Sequence, residues 1–395
     1  MMKNTVVSLV AIGLAASCSA ESDPTDVATE VGALKAGPTN RIAALVTQEN
    51  YVSDQPGVAE ATDPELVNAW GLAFNPAGPA WVSSNGRGLS PVFDSEGNRL
   101  LRVVIPTAKG GEPPSAPTGQ VFNGDSNSFK GDVFIFVTED GTVSGWQPAF
   151  GTEAMLRADR SKREAIYKGV TIAENHGRLR LYAADFHNNR IDIFDDNYRP
   201  LRRHDDHDDG KRGDHHRDDD RFVDRHLPDG FAPFNILAHG DLLFVTYAKQ
   251  DADAEDDVKG PGNGFVDVFD TDGELVQRLI SRGVLDSPWG MAFQPPPEGK
   301  RSERLLVGNF GDGRVNVFQL VRRGEHLRAT LKGALGDAPD HPLVIDGLWA
   351  LVFGLGAGGF DADDLYFTAG PEDETHGLFG EIGFVEEDAS ASSDD

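Results

Sequence analysis

The chain has 395 residues, 64 acidic against 36 basic, which gives a formal charge of -28 and a pI near 4.6. Such a surface repels nucleic-acid phosphates and anionic lipid headgroups, which argues against a nucleic-acid function and favours solubility, divalent cations or basic partners. One cysteine, Cys18, leaves no internal disulfide, so packing alone must hold the fold.

Lys3 precedes an apolar run from Val6 to Ala16, too short to span a bilayer and shaped like the hydrophobic region of an export signal. Ala15-Ala16-Ser17-Cys18 resembles a bacterial lipoprotein box, with Leu14 one place further out than the common pattern. Residues 1–18 are therefore expected to form an export signal with Cys18 as the lipidation site. Residues 19–41 then serve as a tether of small, polar and acidic residues. An exported cell-surface or periplasmic lipoprotein follows, touching a membrane only through its anchor; ordinary signal cleavage, for example after Ala20, would give a secreted protein instead.

From residue 42 to 385 the chain repeats itself. NAWGLAF around Trp70 returns as SPWGMAF around Trp289 and more faintly as GLWALVF around Trp349; PTGQVFN, KGVTIAE and APFNILA fill the gaps. Aligning Gly71 with Gly119, Gly169, Asn235, Gly290 and Ala350 gives six copies spaced by about 50 to 65 residues, the length of a four-stranded propeller blade with its loops. Short β-branched or aromatic runs follow each opening: Val133 to Val137, Leu181 to Ala184, Leu243 to Tyr247, Phe265 to Phe269 and Val315 to Phe318. Turn pairs such as Asn85-Gly86 and Asp140-Gly141 bound them. Only Thr152 to Tyr167 shows weak helical spacing, fitting a short helix or an ordered insertion. The fold class is all-β, a single-domain six-bladed β-propeller; a pair of β-sandwiches would not repeat a four-strand phrase with the same opening.

The stretch Val52 to Gly86 (VSDQPGVAEATDPELVNAWGLAFNPAGPAWVSSNG) resembles the N-terminal signature of a family of uncharacterised exported bacterial proteins. KGVTIA, LYAADFHNNRIDIFD, SPWGMAF, LLVGNFGDGRVNVF and GLWALVFG resemble its later blocks, and the second and fourth of these are similar to NHL-type propeller repeats. The resemblance implies a six-bladed NHL-like propeller and export, and it brings no catalytic residues. Protein-binding platforms occur in the wider NHL-like class, and calcium-dependent lactonases and phosphotriesterases among other six-bladed propellers; those are likenesses of fold alone.

In a propeller, the openings of the innermost strands and the ends of the second strands meet at one mouth of the central channel. Asn85, Glu139, Asp185 and Asn309 should then converge as hard oxygen donors suited to Ca2+, with Glu139 or Asp185 as general base for a lactone or phosphoester substrate. The competing expectation is that each hydrogen-bonds the backbone of its own turn. Trp70, Trp289 and Trp349 would either pack adjacent blades or line a ligand-stacking rim. Between the third and fourth copies lies a His/Asp-rich insertion, residues 204–226, where His204, His207, His215 and His216 suit loose metal binding or mark a plain solvated loop. Asp251 to Lys259 is a second acidic loop that lacks the glycine and glutamate of an EF-hand. Residues 386–395 form an acidic tail expected to be disordered.

The residues thus point first to an exported, lipid-anchored binding scaffold for a protein, glycan or small ligand, with no certain cofactor. The second expectation is a calcium-dependent lactonase or esterase-type hydrolase with its cation at the channel mouth.

Overall fold

A computed structural model describes residues 41–201, 221–294, 303–324 and 326–385. Cys18, the export signal, His204, His207, His215, His216 and the acidic tail lie outside the described residues. Strands dominate, and the helical segments among the described residues are four single 3-10 turns.

The strands assemble into six antiparallel blades laid out in chain order, the last two joined through the first strand into one ten-stranded sheet. The first blade is Ala69–Phe74, Ala80–Ser84, Leu89–Phe93 and Arg99–Val104; the second is Pro117–Phe122, Phe134–Thr138, Thr142–Trp146 and Met155–Asp159. Tyr167–Asn175, Arg178–Asp185 and Arg190–Phe194 form the third, and Phe231–His239, Leu242–Lys249, Gly264–Asp270 and Leu275–Ser281 the fourth. The fifth is Pro288–Gln294, Arg304–Asn309, Val315–Arg323 and His326–Ala338. Each innermost strand contacts the innermost strand of the next blade, and the sixth contacts the first, so the ring is closed.

The sixth blade takes Leu348–Phe353, Leu365–Ala369 and Leu378–Phe384 from the C-terminal end and its outer strand, Ile42–Ser53, from the N-terminal end. Val46 to Ser53 runs antiparallel to Leu378–Phe384, while Ile42 to Leu45 runs parallel to Ala334–Gly336 of the fifth blade. Gly333 makes that seam possible. Its φ is 140°, and a Cβ there would lie 2.1 Å from the Arg41 carbonyl oxygen. The repeat pattern does not reveal this strand, because it precedes the first copy.

The segment Thr152 to Tyr167, with its weak helical spacing, is instead the outer strand Met155–Asp159 followed by a 3-10 turn at Ser161–Arg163. Its residues are half-exposed, so the alternation that marks an inner strand is muted there. Inner strands show the opposite: Ala80–Ser84 and Phe134–Thr138 are buried at every residue, because each is covered on both faces by neighbouring blades.

The repeated glycine has a steric cause. A Cβ on Gly71 would sit 2.3 Å from Thr118 O, one on Gly169 2.1 Å from Asn235 Oδ1, and one on Gly290 2.6 Å from Trp349 O. Adjacent blades therefore meet backbone to backbone at this level. A register shift recurs beside these positions in all six innermost strands, between Ala69 and Leu72, Pro117 and Gln120, Tyr167 and Gly169, Pro233 and Asn235, Pro288 and Gly290, and Leu348 and Leu351. A bulge bends the strand and re-aims a side chain. Gly290→Ala should lower stability by about 1–3 kcal/mol, the range for overpacking, because the obstructing atom is main chain. Urea denaturation would test this, and an unchanged midpoint would refute the close-approach account.

Candidate functional site

The residue before the repeated glycine, or before Asn235 and Ala350 that replace it, is in chain order of the copies Trp70, Thr118, Lys168, Phe234, Trp289 and Trp349. All six are buried. Trp70 stacks on Trp349 with ring centroids 3.6 Å apart, Phe310 stacks on the same indole at 3.9 Å, and Trp289 meets both tryptophans edge-on at 6.4 and 5.9 Å. Phe234 lies 5.8 Å from Trp349. The tryptophans are therefore an aromatic plug, at most 5% exposed, and not the ligand-stacking rim considered from sequence. Apolar area and stacking favour mutual burial over exposure at a wet mouth.

Polar side chains fix the plug. Trp349 Nε1 donates to Asn68 Oδ1 at 2.9 Å, Trp289 Nε1 donates to the Lys168 carbonyl at 3.2 Å, and Asn235 Nδ2 donates to the Trp289 carbonyl at 2.8 Å. Trp70 Nε1 is buried and has no hydrogen-bond partner among the described residues.

Lys168 is the exception in this aromatic ring, and a polar network is built on it. Its Nζ lies 5.2 Å from the centre of the Trp70 ring, a cation–π distance. Glu139 Oε1 accepts from it at 2.5 Å and Asp256 Oδ1 at 3.1 Å. Asn85 Nδ2 donates to the other Glu139 oxygen at 2.8 Å; Asn68 Nδ2 donates to Glu374 Oε2 at 2.6 Å and reaches Asn85 Oδ1 at 3.3 Å. Five blades contribute: Asn68 and Asn85 from the first, Glu139, Lys168 and Asp256 from the second, third and fourth, and Glu374 from the sixth. Burial alone would push the Lys168 ammonium down, but the Glu139 and Asp256 carboxylates more than offset it and hold the group charged.

Glu374 behaves differently. Burial, reinforced by the charge of Glu139, raises its carboxyl to about 7. It follows Glu372 and Asp373 in a run of three left-handed residues, with φ of 55°, 51° and 66°. Non-glycine residues adopt this conformation at a cost, and such strain gathers at functional sites. Because the folded value lies above the ordinary 4.5, the folded state keeps a proton that the unfolded chain releases between those limits. Its contribution is fully present below about pH 4.5 and is lost as pH rises through 7. Glu374→Gln should therefore remove about 2–3 kcal/mol of pH dependence over that window. Chemical denaturation of both proteins at several pH values measures it, and parallel curves would contradict this account of the carboxyl.

Two loops cover the network. One joins Leu242–Lys249 to Gly264–Asp270 and carries Asp256, Asp257 and Lys259; the other joins Leu365–Ala369 to Leu378–Phe384 and carries Glu372 to Glu374. Lys259 Nζ lies 3.9 Å from Asp373 Oδ1, linking the loops across the mouth, and sits 4.4 Å from the Phe310 ring centre.

Of the four oxygen donors expected to hold Ca2+, Asn85 and Glu139 meet each other. Glu139 divides its two oxygens between Asn85 and Lys168. Asp185 instead accepts from the Ile166 and Asn188 backbone at 3.2 and 3.3 Å and pairs with Arg190 at 3.1 Å. Asn309 Nδ2 donates to the Val284 carbonyl and to Asp312. Turn and ion-pair contacts therefore engage Asp185, Asn309 uses its amide nitrogen and leaves Oδ1 without a partner among the described residues, and the Lys168 ammonium lies beside Glu139 where the sequence reading set a cation. Among the described residues there is no group of three or more His, Asp or Glu side chains that could hold a metal ion.

Behind the plug, on the opposite side from the lysine, the channel holds a cavity of about 280 Å³ lined by all six innermost strands, among them Leu72, Val170, Ile236, Met291 and Leu351. Its wall is mainly apolar because polar groups there are already used; Gln120 Nε2, for example, donates to the Gly71 and Trp81 carbonyls.

Sequence reasoning passed over Lys168, Asn68, Asp256 and Glu374. Lys168 was recoverable, since it holds the place that tryptophan fills in three other copies.

No family model matches the chain. It is 31% identical over 363 residues to "Uncharacterized protein L690" of Acanthamoeba polyphaga mimivirus, covering 88% of this chain and 87% of that protein. It is 30% identical over 358 residues to "Uncharacterized protein R648" of the same virus, covering 87% and 81%. These relatives are viral, where the sequence resemblance pointed to bacteria. Among solved structures it is similar to "Streptogramin B lyase structure", with 10% identity, a TM-score of 0.47, and coverage of 86% of this chain and 97% of that one.

Proposed function

Since the chain belongs to the family of these two mimivirus proteins and aligns along most of their length, we propose one function for the complete propeller: a rigid platform that binds a small polar ligand at the channel mouth. The observation that supports this most directly is the buried lysine in an otherwise largely aromatic ring. A buried ion pair contributes little net stability compared with apolar packing of the same volume. Five blades nevertheless direct charged or amide side chains to that point, beneath two covering loops. A few polar groups converging on an apolar base are the usual furniture of a small-molecule site.

The test is a thermal-unfolding screen of the full chain against sugars, amino acids and organic acids. A ligand at one hundred times its dissociation constant stabilises the native state by about 2.7 kcal/mol. That gain should vanish in the double variant Asn85→Ala/Glu374→Gln. Ligands that stabilise both proteins equally would place binding elsewhere.

The calcium-dependent hydrolase is the weaker reading, since the Lys168 ammonium already lies against Glu139, Asp185 is paired with Arg190, and no group of three or more acidic or histidine side chains gathers among the described residues. Export and lipid attachment at Cys18 belong to the proposal on sequence grounds. Cys18→Ser should release the protein from the membrane fraction; equal fractionation of both forms would remove the anchor.

A further inference from the structure

Resting on the mouth as the ligand site, we propose that the ligand is a small carboxylic acid whose carboxylate replaces Asp256 on Lys168. The two partners of the ammonium are unequal. Glu139 is 26% exposed and is held on its other oxygen by Asn85, whereas the Asp256 side chain is 75% exposed on a covering loop. The Asp256 carboxylate thus reaches from solvent onto a cation that is itself only 2% exposed. It is a carboxylate supplied by the chain at the position where a bound one would sit.

A second observation points the same way. The Trp70 indole N–H is buried and unpaired, on the ring over which the Lys168 ammonium lies. Asp256, tethered to its loop, sits on Lys168 and leaves this N–H without an acceptor, whereas a free carboxylate can shift to offer one oxygen to each donor. Charge selects the ligand class. Exchanging Asp256 for a monocarboxylate leaves the net charge around Lys168 unchanged. A phosphate dianion would add a further negative charge beside Glu139, Glu374 and Asp257.

Binding therefore competes with an internal group, so the apparent affinity is reduced by the fraction of molecules in which Asp256 is withdrawn. The experiment is calorimetric titration of the full chain with sodium acetate, sodium benzoate and inorganic phosphate at constant ionic strength. Asp256→Asn should bind a carboxylate about tenfold more tightly than the natural sequence, because the competitor is gone. The charge-balanced double variant Lys168→Met/Glu139→Gln, which leaves no orphaned buried charge, should bind none. The proposal is overturned if Asp256→Asn binds no more tightly, if the double variant keeps the affinity, or if phosphate equals the carboxylates. Should a neutral ligand from the screen lose its effect in Asn85→Ala/Glu374→Gln while no carboxylate binds, the carboxylate proposal fails and the mouth reading stands. If no ligand responds to the mouth variants, both fall.

Discussion

Glu139→Gln is expected to lower folding stability at neutral pH by about 3 kcal/mol, and adding Lys168→Met should restore most of that loss. The argument turns on which charge is left in the dry place. Lys168 is 2% exposed while Glu139 is 26% exposed, so removing the carboxylate strands the more deeply buried ion. Asp256 remains, but it stands mostly in water, where its attraction is screened. Lys168→Met alone should cost less, about 1–2 kcal/mol, since water reaches the glutamate it leaves behind. The ammonium of the Glu139→Gln variant should also give up its proton more readily, so that its deficit shrinks as pH rises. Urea denaturation of the double-mutant cycle at two pH values decides the matter. A double variant whose loss equals the sum of the single losses would show that the two side chains are not coupled.

The largest effect should come from the seam. A chain lacking Ile42–Ser53 is expected to lose cooperative unfolding altogether. Val46, Tyr51 and Val52 are buried, and each such side chain contributes roughly 1.5–3 kcal/mol on burial. Tyr51 also packs edge-on against Phe379 at 5.9 Å and donates its hydroxyl hydrogen to Glu381. Together with a ladder from Val46 to Ser53, the total rivals the 5–15 kcal/mol by which whole domains are stable. Deletion further exposes Leu378–Phe384 as an unpaired edge, which invites aggregation. Circular dichroism and denaturation of the truncated chain, with and without the peptide IAALVTQENYVS in trans, test this. Cooperative unfolding near the full-length midpoint would show that the first strand is an accessory.

These outcomes separate what was legible in the residues from what was not. The six copies could be read because the opening phrase of the innermost strand recurs, with glycine in four of the six at the phase where adjacent blades approach closely. The closing strand could not, since its Val46–Ser53 part pairs with residues more than 300 positions away and carries no repeat phrase. At the mouth, placing polar ends of second strands about one axis correctly joined Asn85 with Glu139. For Asp185 the competing expectation, bonding within its own turn, is the one that describes its contacts, while Asn309 engages only its amide nitrogen. Side-chain aim depends on local hydrogen-bond supply, which strand spacing does not encode. Nor does composition distinguish an acidic loop that covers a lysine from one that is merely solvated, as with Asp256 in its loop.

The stacked tryptophans give the axis of the ring a stopper. A solute arriving at the lysine cannot travel on to the apolar cavity behind Trp289, so the two ends of the molecule are separate compartments. One end presents the charged network on Lys168, the other a recess lined by the six innermost strands.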